Sequence, residues 1–169
     1  WIDGCAAPRI RDFEVDLKLK HDVVPKAEQP IPLGEFDQLR VDFRIEEEIA
    51  LGKRVRYDPT IHELPEWLSA VFVVDQKNKG LLGRIVTAYG YVNDQCVTAA
   101  AAAPDVEGAF RASSGRRLHT TVDMVWGYHQ LSLSNETKKL LACVTRSGIT
   151  FPECATFGPA SFPAILQDK

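Results

Sequence analysis

"TVDMVWGYHQLSL", Thr121 to Leu133, is the stretch on which the fold of this chain turns. Asp123 follows Leu118 and two β-branched residues, and Tyr128 stands five positions beyond it. Apolar and β-branched density through "LHTTVDMV" predicts a strand, because such side chains fit a pleated, half-buried surface. Asp123 is then either a metal-holding carboxylate at a strand end or only a charge where a strand meets a turn. The residue alone favours the second reading.

The flanking sequence sets the class of protein. A chain of 169 residues with 45% hydrophobic and 25% charged content has enough apolar material for a core. Its net charge of -3 argues against a dedicated nucleic-acid binder, although a local basic groove stays compatible with it. Cys5, Cys96, Cys143 and Cys154 are scattered among apolar residues without any C-x-x-C, which predicts small buried hydrophobes rather than zinc ligands or a disulfide framework. No apolar run approaches the roughly 20 residues of a membrane helix, and an intracellular setting, cytoplasm or nucleus, is expected. The first residue is Trp1 rather than Met, so a piece of a longer protein or a processed product is expected.

Along the chain, "FEVDLKLK" alternates and predicts a short exposed strand, and the three prolines of "VVPKAEQPIPLG" predict an extended linker. "EFDQLRVDFRIEEEIALGKR" predicts a helix with Phe36, Leu39, Phe43 and Ala50 on its apolar face, closed by Gly52 and Lys53. Its "EEE" reads as a solvated face. "AVFVV", Ala70 to Val74, predicts a buried strand that returns through a polar loop as "RIVTAY". A short helix is expected over "PDVEGAFRA", a turn or one helical turn over "SNETKK", and a hairpin in "LLACVTRSGITF" reversing at Ser147-Gly148. A last helix starts at Pro159 or Pro163. Strands and helices mix without a βαβ rhythm, so the fold class is α+β.

This series of pieces resembles the N-terminal half of the reverse transcriptase of gypsy-type LTR retrotransposons, over about residues 13 to 169. The similarity runs through "FEVDLKLK", "PKAEQPIPLGEFDQL", "SAVFVVDQKNKG", "RIVTAYGYVN", "TVDMVWGYHQL", "TRSGITF" and "ATFGPASFPAILQ". An aspartate at the right distance before "GYHQ" is the most specific single element, and the collinear order is stronger still. The resemblance implies a partial polymerase right hand, fingers and first half of palm, built on a mixed or antiparallel sheet with flanking helices. It implies an extended N-terminal strand and linker over 1–34, a fingers-like region over 35–112 and a palm-like region over 113–169.

The implied chemistry is nucleotidyl transfer with Mg²⁺, which takes hard oxygen ligands and steadies attacking and leaving oxygens in pairs of ions. Asp123 matches the first catalytic aspartate, and the Met124 backbone carbonyl a further ligand. Tyr128 matches the aromatic residue beneath the nucleotide sugar, where a 2′-hydroxyl is discriminated. His129 and Gln130 are expected to pack the turn. Lys77 and Arg84 match the fingers cations that grip the triphosphate, and Phe157 and Gly158 match the Phe-Gly beside template and nucleotide.

The pattern also breaks. Ala88 and Gly90 replace the Asp and Arg of the family's "CVDYR", "TAAAAAPD" replaces an aromatic-proline strip, and "FGPASFP" is three residues short. No "DD" pair occurs in the 169 residues, so the Tyr-x-Asp-Asp motif is missing. Two metals need at least two placed carboxylates, and Asp123 alone is expected to hold Mg²⁺ weakly or not at all. The resemblance thus implies a fragment of an RNA-directed DNA polymerase, inactive alone, with primer-template and dNTP as the family's partners. The alternative is a retroelement-derived structural or interaction subunit whose incomplete palm is covered by a protein partner.

Overall fold

The computed structural model describes residues 9–75, 82–98, 105–120, 122–124 and 126–167. The alternating segment near the N-terminus contributes only a two-residue strand, β1 (Glu14–Val15), with Glu14 exposed but one face turned inward. Val15 and Leu17 are both buried, since β1 runs parallel to β5 (Ser132–Leu133) and the Leu17 N–H donates to Thr137 Oγ1 at 2.9 Å. The proline-rich stretch that follows stays extended, touching the rest of the chain through a bridge between Ala27 and Leu68.

Helix α1 (Glu35–Ala50) forms where the sequence predicts, but turns a different side to the core. Val41, Ile45 and Ile49, spaced by four, pack with Val71, Val73 and Ile85, whereas Phe36, Leu39 and Phe43 are 58%, 63% and 53% exposed. The two stripes lie on neighbouring helix faces, and only one can meet the sheet. The choice is reinforced by buried Arg40, which binds Asp37 and Asp75 at 2.8 and 2.6 Å and so ties the helix to the tip of a strand. The helix ends as its Gly predicts. Gly52, at φ +65°, lets its own N–H reach the Ile49 carbonyl and the Lys53 N–H reach that of Glu48.

β2 (Arg54–Arg56), β3 (Ser69–Val74), β4 (Arg84–Thr87), β6 (Cys143–Thr145) and β7 (Gly148–Pro152) form one mixed sheet in the order β2-β7-β6-β3-β4. Only β3 and β6 are parallel; the other neighbours are antiparallel. The β3/β4 hairpin matches expectation, while β4 stops at Thr87 because the chain turns into helix α2 (Gly90–Gln95). β2 carries no apolar alternation long enough to read from sequence. The β6/β7 reversal lies at Arg146-Ser147, one residue earlier than expected, because Thr145 pairs directly with Gly148.

In the second half, α3 (Val106–Ser113) is capped by Asp105, whose side chain accepts the Gly108 N–H, and α4 (Asn135–Leu140) is capped by Ser134. Pro104, the expected first helical residue of α3, lies outside the described residues. α5 (Phe162–Gln167) starts at Phe162, with Pro163 in its first turn. The strand expected over "LHTTVDMV" does not form: Leu118 and Val122 are 91% and 88% exposed, and the described residues from 118 to 124 pair with no strand. β-propensity gives no strand without a ladder partner, and here none is supplied among the described residues. Residues 121 and 125, within that reading, are not described.

The interior has two clusters. One gathers Val15, Leu17, Trp67, Tyr89, Leu131, Leu133, Leu141 and Phe162 between β1, β5, α4 and α5; the other lies under α1. Cys96, Cys143 and Cys154 are free and buried, as expected, and Cys5 is outside the described residues. The acidic run at the end of α1 is not merely solvated. Glu46 pairs with Arg56, Glu47 with Arg44, and Glu48 with Arg54, which is buried to 4% exposure. Burial works against the Arg54 charge, yet the Cys143 sulfur, 2.6 Å from Nη1, and the Glu48 carboxylate raise its pKa. Among the described residues no helix is long and apolar enough to cross a membrane.

Breaking the Arg54–Glu48 pair from one side leaves a half-buried carboxylate without its partner. Arg54→Met is expected to destabilise the fold by about 3 kcal/mol or more in urea unfolding, and Arg54→Met with Glu48→Leu to recover most of that loss. A single-variant loss below about 1 kcal/mol would show that the pair does not anchor α1 to the sheet.

Candidate nucleotide-binding cleft

Four segments distant in sequence converge at the C-terminal end of α1. They are the Gly52-Lys53 turn, the start of β4 at Gly83-Arg84, the 3-10 turn Gly127–Gln130 with Trp126 before it, and the loop at Phe157-Gly158. Between them lies a cleft of about 340 Å³, lined by Arg44, Glu48, Lys53, Arg84, Trp126 and Phe157 among others. That is a size at which small ligands are held.

The convergence follows from local chemistry. Arg84 opens β4 opposite Val74, and its guanidinium lies over the Phe157 ring at 4.2 Å from the centroid. Tyr128 meets the same ring edge-on, with centroids 5.2 Å apart and planes at 89°. His129 meets it as well, at 6.0 Å, and so packs the turn as the sequence predicts. On the other wall the Lys53 ammonium sits 3.8 Å from the Trp126 ring centroid. Trp126 itself occupies the left-handed region at φ +53°, an uncommon place for a bulky side chain, so the turn that presents it is set by its surroundings. Arg9 fastens the two sides, donating to the carbonyls of His129 and Gly52.

The Phe157-Gly158 loop is positioned by Tyr89 and Asn93. Asn93 donates to the Gly158 carbonyl at 3.0 Å and accepts the Ala160 N–H at 2.9 Å. Gly158 has φ +124°, and a Cβ there would stand 2.9 Å from Tyr89 Cδ2. Tyr89 cannot yield: it is fully buried and its hydroxyl donates to the Leu141 carbonyl at 2.9 Å. Its burial raises its pKa, so it remains a donor.

The expected site residues are therefore partly assembled. Arg84, Tyr128, Phe157 and Gly158 come together. Asp123 is exposed and outside any strand, and Met124 lies with its sulfur near Gly127, close to Leu166 on α5. Lys77 lies outside the described residues. Among the described residues no three His, Cys, Asp or Glu side chains gather where a metal ion could be held. One exposed carboxylate does not make a Mg²⁺ site, since that ion wants several hard ligands in near-octahedral order. Sequence reading took Lys53 only as a helix closer and passed over Trp126; a Lys directly after a helix-ending Gly, and a Trp directly before "GYHQ", were the available signals.

The fold places the chain in a known class. Among 441 matching solved chains is the prototype foamy virus protease-reverse transcriptase, which superposes with a TM-score of 0.74 over 98% of this chain at 16% identity. The fold is therefore reverse-transcriptase-like, α+β with a mixed sheet and flanking helices. The present chain spans 21% of that protein's length. No family model matches the chain, and no curated protein matches it.

Two outcomes test the geometry. Gly158→Ala is expected to cost about 1–3 kcal/mol in thermal or urea unfolding, because the methyl group meets a buried ring at a φ that L side chains avoid. His129 is held neutral by burial first and then by the Lys53 charge, with its pKa lowered to about 4, and its Nδ1 is buried without a partner. The unfolded chain then takes up that proton first, so stability falls as pH drops from about 6.5 towards 4, and His129→Gln flattens the slope. An imidazolium signal for His129 in nitrogen NMR at pH 6 would contradict this.

Proposed function

We propose that these 169 residues are the fingers and first palm half of a reverse transcriptase of gypsy-type LTR retrotransposon origin, whose cleft is built for the phosphates of nucleotides and nucleic acid. The observation that carries this reading is the Phe157 ring lining the cleft, with the Arg84 guanidinium on its face and Tyr128 against its edge, in a reverse-transcriptase-like fold. In this reading 1–34 is the entering strand and linker, 35–112 the fingers-like segment and 113–169 the palm-like segment, interleaved in shared sheets. Arg84, with Lys77, meets phosphate oxygens, for which a planar guanidinium and an ammonium are suited. The Phe157 ring holds the guanidinium against the cleft wall, and Tyr128 braces that ring from the side.

Asp123 and the Met124 carbonyl are proposed as the position of one half of a divalent-ion site. The residues present do not complete it, so no polymerisation step is assigned to this chain. A protein that polymerises with this domain must draw a second carboxylate from outside these residues. Primer extension with Mg²⁺ and dNTPs is expected to give no incorporation by the 169-residue chain, and incorporation would overturn the assignment.

A second reading, a retroelement-derived subunit that serves as an interaction surface, is favoured by Phe110, Leu118 and Val122. Phe110, at the end of the fingers-like segment, is 72% exposed, and Leu118 and Val122, in the palm-like one, are 91% and 88% exposed, apolar side chains of the sort that partners cover. The two readings separate on nucleic acid. Under the first, a primer-template binds with affinity that falls as salt rises, and Arg84→Ala lowers the log–log salt slope by about one. Absence of binding at low salt would leave the second reading standing.

A further inference from the structure

We propose that Lys53, framed by Trp126, is a second phosphate-binding residue of this cleft and that the ligand it shares with Arg84 is the polyphosphate of a nucleoside triphosphate. The inference rests on the nucleotide reading of the cleft and adds to it a residue, Lys53, acting on the same polyphosphate as Arg84.

The Lys53 backbone leaves the side chain little choice of direction. Its N–H binds the Glu48 carbonyl in the helix-ending turn, and its carbonyl accepts the Glu153 N–H at 2.8 Å. The side chain is thereby sent inward and keeps 8% of its exposure, with the ammonium on the Trp126 face. Burying an ammonium is costly unless something answers its charge. The neighbouring carboxylates are engaged elsewhere, Glu47 with Arg44 and Glu48 with Arg54. Among the described residues Lys53 has no hydrogen bond or ion pair of its ammonium, and burial accordingly lowers its pKa. The ring covers one side of the ammonium, and Lys53 is one of the residues that line the cleft.

Arg84 is in the same position. It lies on the Phe157 face and has no carboxylate partner among the described residues. The cleft therefore presents two cations, each held on an aromatic face and each without an anion. A single carboxylate would satisfy one of them. Adjacent phosphoryl groups carry closely spaced negative charges and many acceptor oxygens, and they match a pair of cations across one cleft. A volume of about 340 Å³ suits a small ligand rather than a duplex. Glu47 and Glu48 also line this cleft, and their pairing with arginines is what keeps it open to anions.

The test uses the 169-residue chain, with EDTA present so that the protein's own cations are read. In the unaltered protein, inorganic tripolyphosphate is expected to slow acetylation of the Lys53 amine by acetic anhydride about fivefold, read by peptide mass spectrometry; this does not depend on any variant folding. Lys53→Met, which keeps the stem, is expected to weaken tripolyphosphate and dATP binding about tenfold while a single-stranded oligonucleotide changes less than about twofold. Weakening by Arg84→Ala but not by Lys53→Met, with no protection of Lys53, would leave the reverse-transcriptase reading intact and end the Lys53 assignment. Protection by the oligonucleotide but not by tripolyphosphate would overturn the ligand class in favour of a strand backbone. If neither tripolyphosphate, dATP nor oligonucleotide binds, the Lys53 assignment and the nucleotide reading of the cleft fall together.

Discussion

One buried phenol organises the part of the molecule that matters most. The Tyr89 hydroxyl is bound to the Leu141 carbonyl where the chain enters β6, and its ring forms the floor under Gly158. Neither contact has slack: the hydroxyl sits in the core, and the Gly158 backbone lies where a side chain would not fit. The Phe157 ring can therefore stand over Arg84 only because Tyr89 fixes the loop beneath it. Asn93, one turn along α2, repeats the constraint with two hydrogen bonds from a single amide. A segment of about seven residues, from Thr87 to Asn93, thus links the β3/β4 hairpin to the final loop.

Arginine does comparable work at the other end of the sheet. Arg54 is buried between the last turn of α1 and β6, with Glu48 and the Cys143 sulfur on either side. Arg40 ties the first half of the same helix to Asp75, and Gly83 leaves room for its guanidinium. Two buried charges set how α1 lies on the strands, and apolar packing fills the space between them. With its carboxylates committed to arginines, the acidic stretch of α1 no longer neutralises the cleft below it. That is how a chain of net charge -3 keeps a cationic hollow.

Much of this was legible in the residues, and the failures have physical causes. The long helix, the β3/β4 hairpin and the β6/β7 hairpin were readable because each is a local pattern with its own stop signal. The side of α1 that faces inward was not, since two apolar stripes compete and the winner is chosen by Arg40 and the strands below. The absent strand around Asp123 shows the opposite error, in which propensity was read without a partner to pair with. The site was half legible: the resemblance pointed to Arg84, Tyr128, Phe157 and Gly158, which do converge. Lys53 and Trp126 escaped because their local signals, a Lys after a helix-ending Gly and a Trp before "GYHQ", do not say which way the turn drives the side chain.

The parallel pairing of β1 with β5 has a consequence for the order of events at the ribosome. Leu17 waits for Thr137, 120 positions later, and at about 5–20 residues per second that is a delay of roughly 6 to 24 seconds during which Val15 and Leu17 lack their β5 and α4 partners. β2 waits similarly for β7, and β3 for β6. The nascent chain can close its first hairpin early, but its amino-terminal edge stays sticky until the late strands emerge, and a cell making this protein has to shelter it for that interval.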